Sequence, residues 1–145
     1  MYSTILIPTD GSSCATRALD HGLEQAARLD ATVHLLYVLD TNRGPESDWD
    51  IVVERQEAEG ERVLEDGLER ASDAGCTATP HLRRGRPSDD ICRAVTEYGA
   101  DLVVMGTCGR SGLDRILRPG STTERVIQNC SCPVTVVPPG VDPSD

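Results

Sequence analysis

The chain predicts an α/β fold, an open parallel sheet whose strands are covered on both faces by helices. Three observations point there. Short, β-branched segments alternate with longer helical patterns from the first strand to the last, and such alternation implies right-handed βαβ crossovers and a parallel sheet. The strand segments are almost continuously apolar, as strands buried on both faces are. Several helical patterns also carry an entry or exit signal, serine or proline at the start and glycine at the end.

Taken in order, Thr4-Ile5-Leu6-Ile7-Pro8 reads as the first buried strand. Ser12 or Ser13 then caps a helix to about Leu29, with Ala15, Ala18, Leu19, Leu23, Ala26 and Ala27 on its inner face. Thr32 to Val38 is the second strand, and residues 39–47 form a polar loop after it. A long charged helix follows from about Asp48 to Ala74, with Gly75 as its stop. Gly60 and Gly67 inside it each cost roughly 1 kcal/mol relative to alanine, which predicts a bend or fraying. Cys76 to Leu82 is a weaker strand, placed at the sheet edge because Pro80 has no N–H for a central ladder. Pro87 opens a helix carrying Ile91, Ala94 and Val95. Asp101 to Met105 is the fourth strand, about Ser121 to Asn129 the last helix, and Pro133 to Val137 the last strand. Residues 1–138 are expected to form one domain, and the proline-containing segment 139–145 a disordered tail.

Composition narrows the function classes. The net charge is −10, lysine and phenylalanine are absent, and all 14 basic residues are arginine. Such a surface argues against nucleic-acid backbones and anionic membranes as partners. It fits either a halophilic source, where salt screens self-repulsion, or drift in a high-GC genome. No basic-then-apolar leader and no membrane-length apolar run is present, so a cytoplasmic location is expected. Six cysteines in a chain with core strands read as reduced thiols rather than a disulfide scaffold.

The residues that carry chemistry cluster after strands. Met105-Gly106-Thr107-Cys108-Gly109-Arg110-Ser111-Gly112 breaks a buried strand into glycines, and Pro119-Gly120-Ser121-Thr122-Thr123-Glu124 leads into a helix. Glycines let backbone N–H groups turn toward a ligand, and a helix N-terminus adds free N–H groups and a positive dipole end. Together they describe a phosphate cradle. Ser121 also has the S-x-x-E form of a capping box, which is compatible with anion binding at the same helix end. Pro8-Thr9-Asp10-Gly11-Ser12 ends the first strand; Asp10 reads equally as a turn residue and as an acceptor for ribose hydroxyls. Without lysine a Walker P-loop is excluded, and the loop reads Gly-x-x-Gly-x-x-Gly rather than the dinucleotide fingerprint. Backbone N–H groups must then do most of the phosphate binding; Arg110, Arg115 and Arg118 each read either as a supporting charge or as a solvated loop residue. Cys108 in this loop reads either as a redox-sensitive thiol or as a small tolerated side chain. Cys130-x-Cys132 is too short a pair for zinc, His21, His34 and His81 lack ligand spacing, and no hydrolase triad is visible.

At this point the chain resembles the universal stress proteins over residues 1 to about 137. The resemblance rests on Ile-Leu-Ile-Pro-Thr-Asp-Gly-Ser at the start, the strand end at Val38, Gly106-x-x-Gly109, Gly120-Ser121, and Cys132-Pro133-Val134-Thr135-Val136-Val137. It implies a five-stranded sheet of order 3-2-1-4-5, ATP as ligand with Mg²⁺ in attendance, and a homodimer through the strand Val134 to Val137. Carried over residue by residue, it puts adenine at Val38, ribose near Asp10 and Gly106, and phosphates on Gly109, Ser121 and Thr122. Pro8, Thr9, Met105, Arg110 and Gly120 complete the expected pocket. The ATP-binding pattern of the family is G-x2-G-x9-G-(S/T), whereas ten residues separate Gly109 from Gly120 here, with Pro119 as the insertion. The function implied is an ATP-dependent regulatory or stress-response module with at most weak ATPase activity; the acidic, lysine-free composition is what makes a haloarchaeal source the expected one. Two alternatives are a nucleotide-independent dimeric interaction protein and an adenylating or ATP-pyrophosphatase type of enzyme.

Overall fold

The computed structural model describes residues 2–41, 49–107 and 121–139, with the side chains of residues 49–52 excepted. The strands are β1 (Thr4–Pro8), β2 (Thr32–Asp40), β3 (Ala78–Gly85), β4 (Leu102–Gly106) and β5 (Val134–Val137). The helices are α1 (Ser13–Leu29), α2 (Trp49–Asp73), α3 (Pro87–Tyr98) and α4 (Thr122–Asn129). The strands form one sheet of order β3-β2-β1-β4-β5, and every pairing is parallel. The expected fold class and strand order are therefore those of the molecule.

Alternation along each strand divides the core in two. Ile5, Ile7, Val33, Leu35, Leu102 and Val104 face α1 and α2, where Leu19, Leu23, Leu64 and Ala71 meet them. Leu6, Leu36, Val103 and Met105 face α3 and α4, against Ile91, Ala94, Val95 and Val126. Fully burying each such aliphatic side chain stabilises the fold by about 1.5–3 kcal/mol. The α1 stripe is narrower than expected: Ala26 is buried but Ala27 is exposed, since one further residue turns about 100° away from the sheet.

Local signals set the helix ends. Ser12 Oγ accepts from the Ala15 N–H at 3.2 Å and caps α1. Pro87 opens α3 behind Arg86, and Gly99 closes it in the left-handed region (φ 68°). Two expectations of element bounds need correction. The loop expected from residue 39 starts later, because β2 runs to Asp40 and Leu39 is buried in the core. β3 spans Ala78–Gly85 rather than Cys76 to Leu82; ladder pairing to β2 carries Arg83, Arg84 and Gly85 into the strand despite their polar composition. It is an edge strand, as Pro80 suggested. In α2 the helix is continuous through Gly60 and Gly67. At Gly60 a Cβ would stand 2.7 Å from Tyr37 Cδ1 and 2.8 Å from Leu82 Cδ1, so this glycine allows the helix to lie close on the sheet.

Asp101 closes the turn between α3 and β4. Its carboxylate accepts from the N–H groups of Ser3 and Thr4 at 3.0–3.2 Å and from Ser3 Oγ at 3.0 Å. Burial opposes its charged form, but these hydrogen bonds outweigh it and hold the carboxyl below the usual range. Four cysteines (76, 92, 130 and 132) are free, as expected. Cys14 departs from that expectation: it is disulfide-bonded.

Candidate functional site

The sheet has its switch point between β1 and β4, since the chain leaves β1 toward β2 and leaves β4 toward β5. β1 pairs with β2 up to Pro8–Leu36, but with β4 only at Ile5–Leu102 and Leu6–Val103. The last residues of β1 and β4 thus run past their common ladder, at the carboxyl edge where open α/β sheets bind ligands.

Three of the expected residues share one face there. Met105 is buried among the α3 and α4 side chains, and Val38 packs against the same cluster. Pro8 lies in register with Leu36 of that cluster. The first turn of α4 closes on this face. Ser121 Oγ accepts from the Glu124 N–H at 3.1 Å, which realises the expected cap. Thr123 Oγ1 donates to the Gly106 carbonyl at 3.3 Å and ties the helix start to the end of β4. Thr122, the first residue of α4, is exposed, and the N–H groups of Thr122 and Thr123 precede the first carbonyl that the helix could offer them.

The other side of the crevice is the turn after β1. Thr9 is buried, and its N–H donates to the Leu36 carbonyl at 2.8 Å. Thr9 Oγ1 accepts from the Gly11 N–H at 3.3 Å, and Asp10 Oδ1 accepts from the Ser12 N–H at 2.9 Å. The turn reading of Thr-Asp-Gly-Ser is therefore realised, and it holds Asp10 at the carboxyl end of β1. Gly106 is required for a spatial reason. A Cβ there would stand 2.8 Å from the Cys14 carbonyl oxygen and 3.0 Å from its carbon. The end of β4 thus touches the first turn of α1.

Thr107, the next residue, is buried, and its Oγ1 has no hydrogen-bond partner among the described residues. An orphaned buried hydroxyl costs about 1–3 kcal/mol, which a ligand's polar group would recover. Nearby, an open cleft of about 310 Å³ lies between α1 and α2, lined by Thr9, Gly11 and Thr16 with Glu59, Arg62 and Asp66. Among the described site residues it touches Thr9 alone, and the two carboxylates against one guanidinium in its described lining disfavour a polyphosphate. The chemistry favours the crevice on the α3–α4 side.

Comparison with known proteins follows the same lines. Residues 1–138 match the universal stress protein family. The chain belongs to this family. It is 38% identical over 141 residues to universal stress protein MJ0531 of Methanocaldococcus jannaschii, covering 94% of this chain and 82% of the relative. Among solved structures it is similar to protein MJ0577 of the same organism, with TM-score 0.85, 30% identity, and 98% and 99% of the two chains covered. It is also similar to a universal stress protein solved in complex with cAMP, with TM-score 0.75, 26% identity, and 94% and 97% covered.

Of the expected site residues, Pro8, Thr9, Asp10, Val38, Met105, Gly106, Ser121 and Thr122 come to the carboxyl edge of β1, β2 and β4. Gly109, Arg110 and Gly120 lie outside the described residues, as do Cys108, Arg115, Arg118 and Pro119. Sequence reading missed Thr107 and Thr123. Both are ordinary threonines in the chain, and only burial and the bond to Gly106 distinguish them. It also missed that His34 and His81 meet, Nδ1 to Nε2 at 2.8 Å, with Tyr98 stacked on both rings. The spacing of 47 residues gives no warning. Burial pushes both imidazoles below their ordinary value, and His34 and Arg83 lower His81 further. Arg83 itself is held by Glu97 at 2.7 Å and lies 3.4 Å from Asp90. Among the described residues no group of three His, Cys, Asp or Glu side chains could hold a metal ion, and no helix is long and apolar enough to cross a membrane.

Proposed function

We propose that the protein binds ATP at the β1–β4 switch point and acts as a nucleotide-dependent regulatory or stress-response module. The observation that carries this reading is the convergence of Pro8, Val38 and Met105 on one face, closed by the Ser121-capped start of α4. The cAMP complex of a similar universal stress protein supports an adenine nucleotide as the ligand class. Adenine would rest at Val38 and ribose at Asp10 and Gly106. Phosphates would take the N–H groups of Gly109, Ser121 and Thr122, with Pro8, Thr9, Met105, Arg110 and Gly120 around them. Mg²⁺ would be carried by the phosphate oxygens, because this ion keeps most of its shell for water and phosphate. The acidic, lysine-free composition supports a halophilic setting.

Calorimetric titration with ATP, AMP and cAMP in high-salt buffer with Mg²⁺ tests the proposal. Saturable 1:1 binding, weakened at least tenfold by Met105→Trp or Asp10→Ala, is the expected result. Absence of heat and of any thermal shift with all three nucleotides would sink it. Deleting Pro119 separates the one-residue loop insertion from the site itself, since affinity gained only in the deletion assigns the loss to the loop.

A second reading is a nucleotide-independent homodimer through Val134–Val137. Its support is that β5 ends the sheet and, among the described residues, pairs only with β4. A strand edge of this kind accepts a second copy by two-fold pairing. Sedimentation of wild type and Val136→Lys distinguishes it, a monomeric variant being the expected result.

A further inference from the structure

Away from the nucleotide crevice, three thiols gather where α3 meets the end of α4. Cys92 lies in α3 and Cys130 is the C-cap of α4, its N–H donating to the Val126 carbonyl at 2.9 Å. Their Sγ atoms are 2.7 Å apart, across 38 residues of sequence, and both thiols are free and half-buried. Cys132 follows in the turn to β5, and Cys130 and Cys132 both pack against the α3–α4 core. Two thiols held this close, on two elements that the fold already packs together, need only a small side-chain adjustment to reach the ~2.05 Å of a covalent bond.

We propose that Cys92 and Cys130 form a reversible disulfide joining α3 to α4, made by exchange with a low-molecular-weight disulfide of the glutathione class. Cys92 loses its proton and attacks one sulfur of that disulfide, forming a mixed disulfide and expelling a thiolate that takes up a proton. Cys130 then loses its proton and attacks the Cys92 sulfur, expelling the second small thiol in the same way. In net terms the two protein sulfurs are oxidised by two electrons and the small disulfide is reduced to two thiols. The order of attack follows from the surroundings. Burial and the contact with Cys92 push the Cys130 thiol up, which disfavours it as the first attacker and leaves it the resolving thiol.

The bond would act on the proposed site through α4. Ser121 and Thr123 stand at the start of this helix and Cys130 at its end, and eight residues span only about 12 Å. Anchoring the far end to α3 restrains the element that presents the anion-binding N–H groups.

The test equilibrates the full chain in glutathione buffers of graded redox ratio, quenches in acid, alkylates, and maps tryptic peptides without reduction. The expected product joins residues 85–93 to residues 126–145, grows with the oxidised fraction as a two-electron couple, and disappears on adding dithiothreitol. It persists in Cys132→Ser and is lost in Cys130→Ser, which separates Cys130 from its neighbour in the same peptide. Amide exchange in residues 122–130 should slow several-fold on oxidation. If wild type yields no such linked peptide, or if Cys132→Ser abolishes it, the assignment of the pair is overturned. Unchanged exchange in α4 would overturn the restraint. The Cys14 bond is reported by other peptides and does not interfere.

Discussion

Gly106 shows how one missing atom positions a site. Any Cβ there meets backbone of Cys14, which cannot rotate aside as a side chain can. Gly106→Ala should therefore cost about 1–3 kcal/mol, read as a lower urea midpoint with an unchanged slope. A variant as stable as wild type would mean that β4 and α1 are not in the contact described. His81 answers a different question. Both paired imidazoles are favoured neutral in the fold, while unfolded histidine titrates near 6.5. Below that pH the unfolded state binds more protons, so stability falls as pH drops through the ordinary histidine value and levels off at the lower folded value. Each group contributes less than about 1.4 kcal/mol per pH unit, since both rings are only half-buried. His81→Gln should flatten the slope of unfolding free energy between pH 7 and 5, and an unaltered slope would contradict the pairing.

At the scale of elements, propensity and packing pull in opposite directions. In α2, Gly60→Ala would gain about 1 kcal/mol of helix propensity. The new methyl would stand 2.7–2.9 Å from the Tyr37 ring and Leu82 Cδ1. A buried aromatic ring yields poorly, so overpacking of about 1–3 kcal/mol should win. Thermal unfolding of the variant is expected to start lower than wild type; a raised midpoint would show that α2 sits farther from the sheet. The same competition explains β3. Its arginines and glycine look unlike a strand, yet Arg83 is paired with Glu97 and in register with Val38. Ladder hydrogen bonds and that ion pair carry the strand past the end of its apolar pattern. Single-sequence periodicity is blind to both.

Over the whole molecule, charge is the property most exposed to conditions. A net charge of −10 on 145 residues produces self-repulsion that salt screens within about 3 Å at 1 M. The thermal midpoint should rise by several degrees between 0.1 and 2 M KCl, beyond the rise seen in a neutral-charge control of similar size. A flat response would argue that the acidic composition reflects genome bias alone. Charge says nothing of fold, however, and the architecture came from a separate source. The continuous apolar strands, Ser12, Ser121 and Pro87 each act within a few residues, through burial on both faces or at a helix start. Such local causes are readable in the chain, and so were the parallel sheet and the helix that opens at Ser121. The family pattern then added the strand order and the crevice residues. What the chain conceals is every effect whose partner is remote in sequence. Asp101 holds Ser3 and Thr4, His34 meets His81, Gly106 abuts Cys14, and Cys92 faces Cys130. Which glycine is tight, which threonine is buried and which thiols touch depend on how layers approach one another. Those distances exist only once the sheet has assembled and the helices have settled on its two faces.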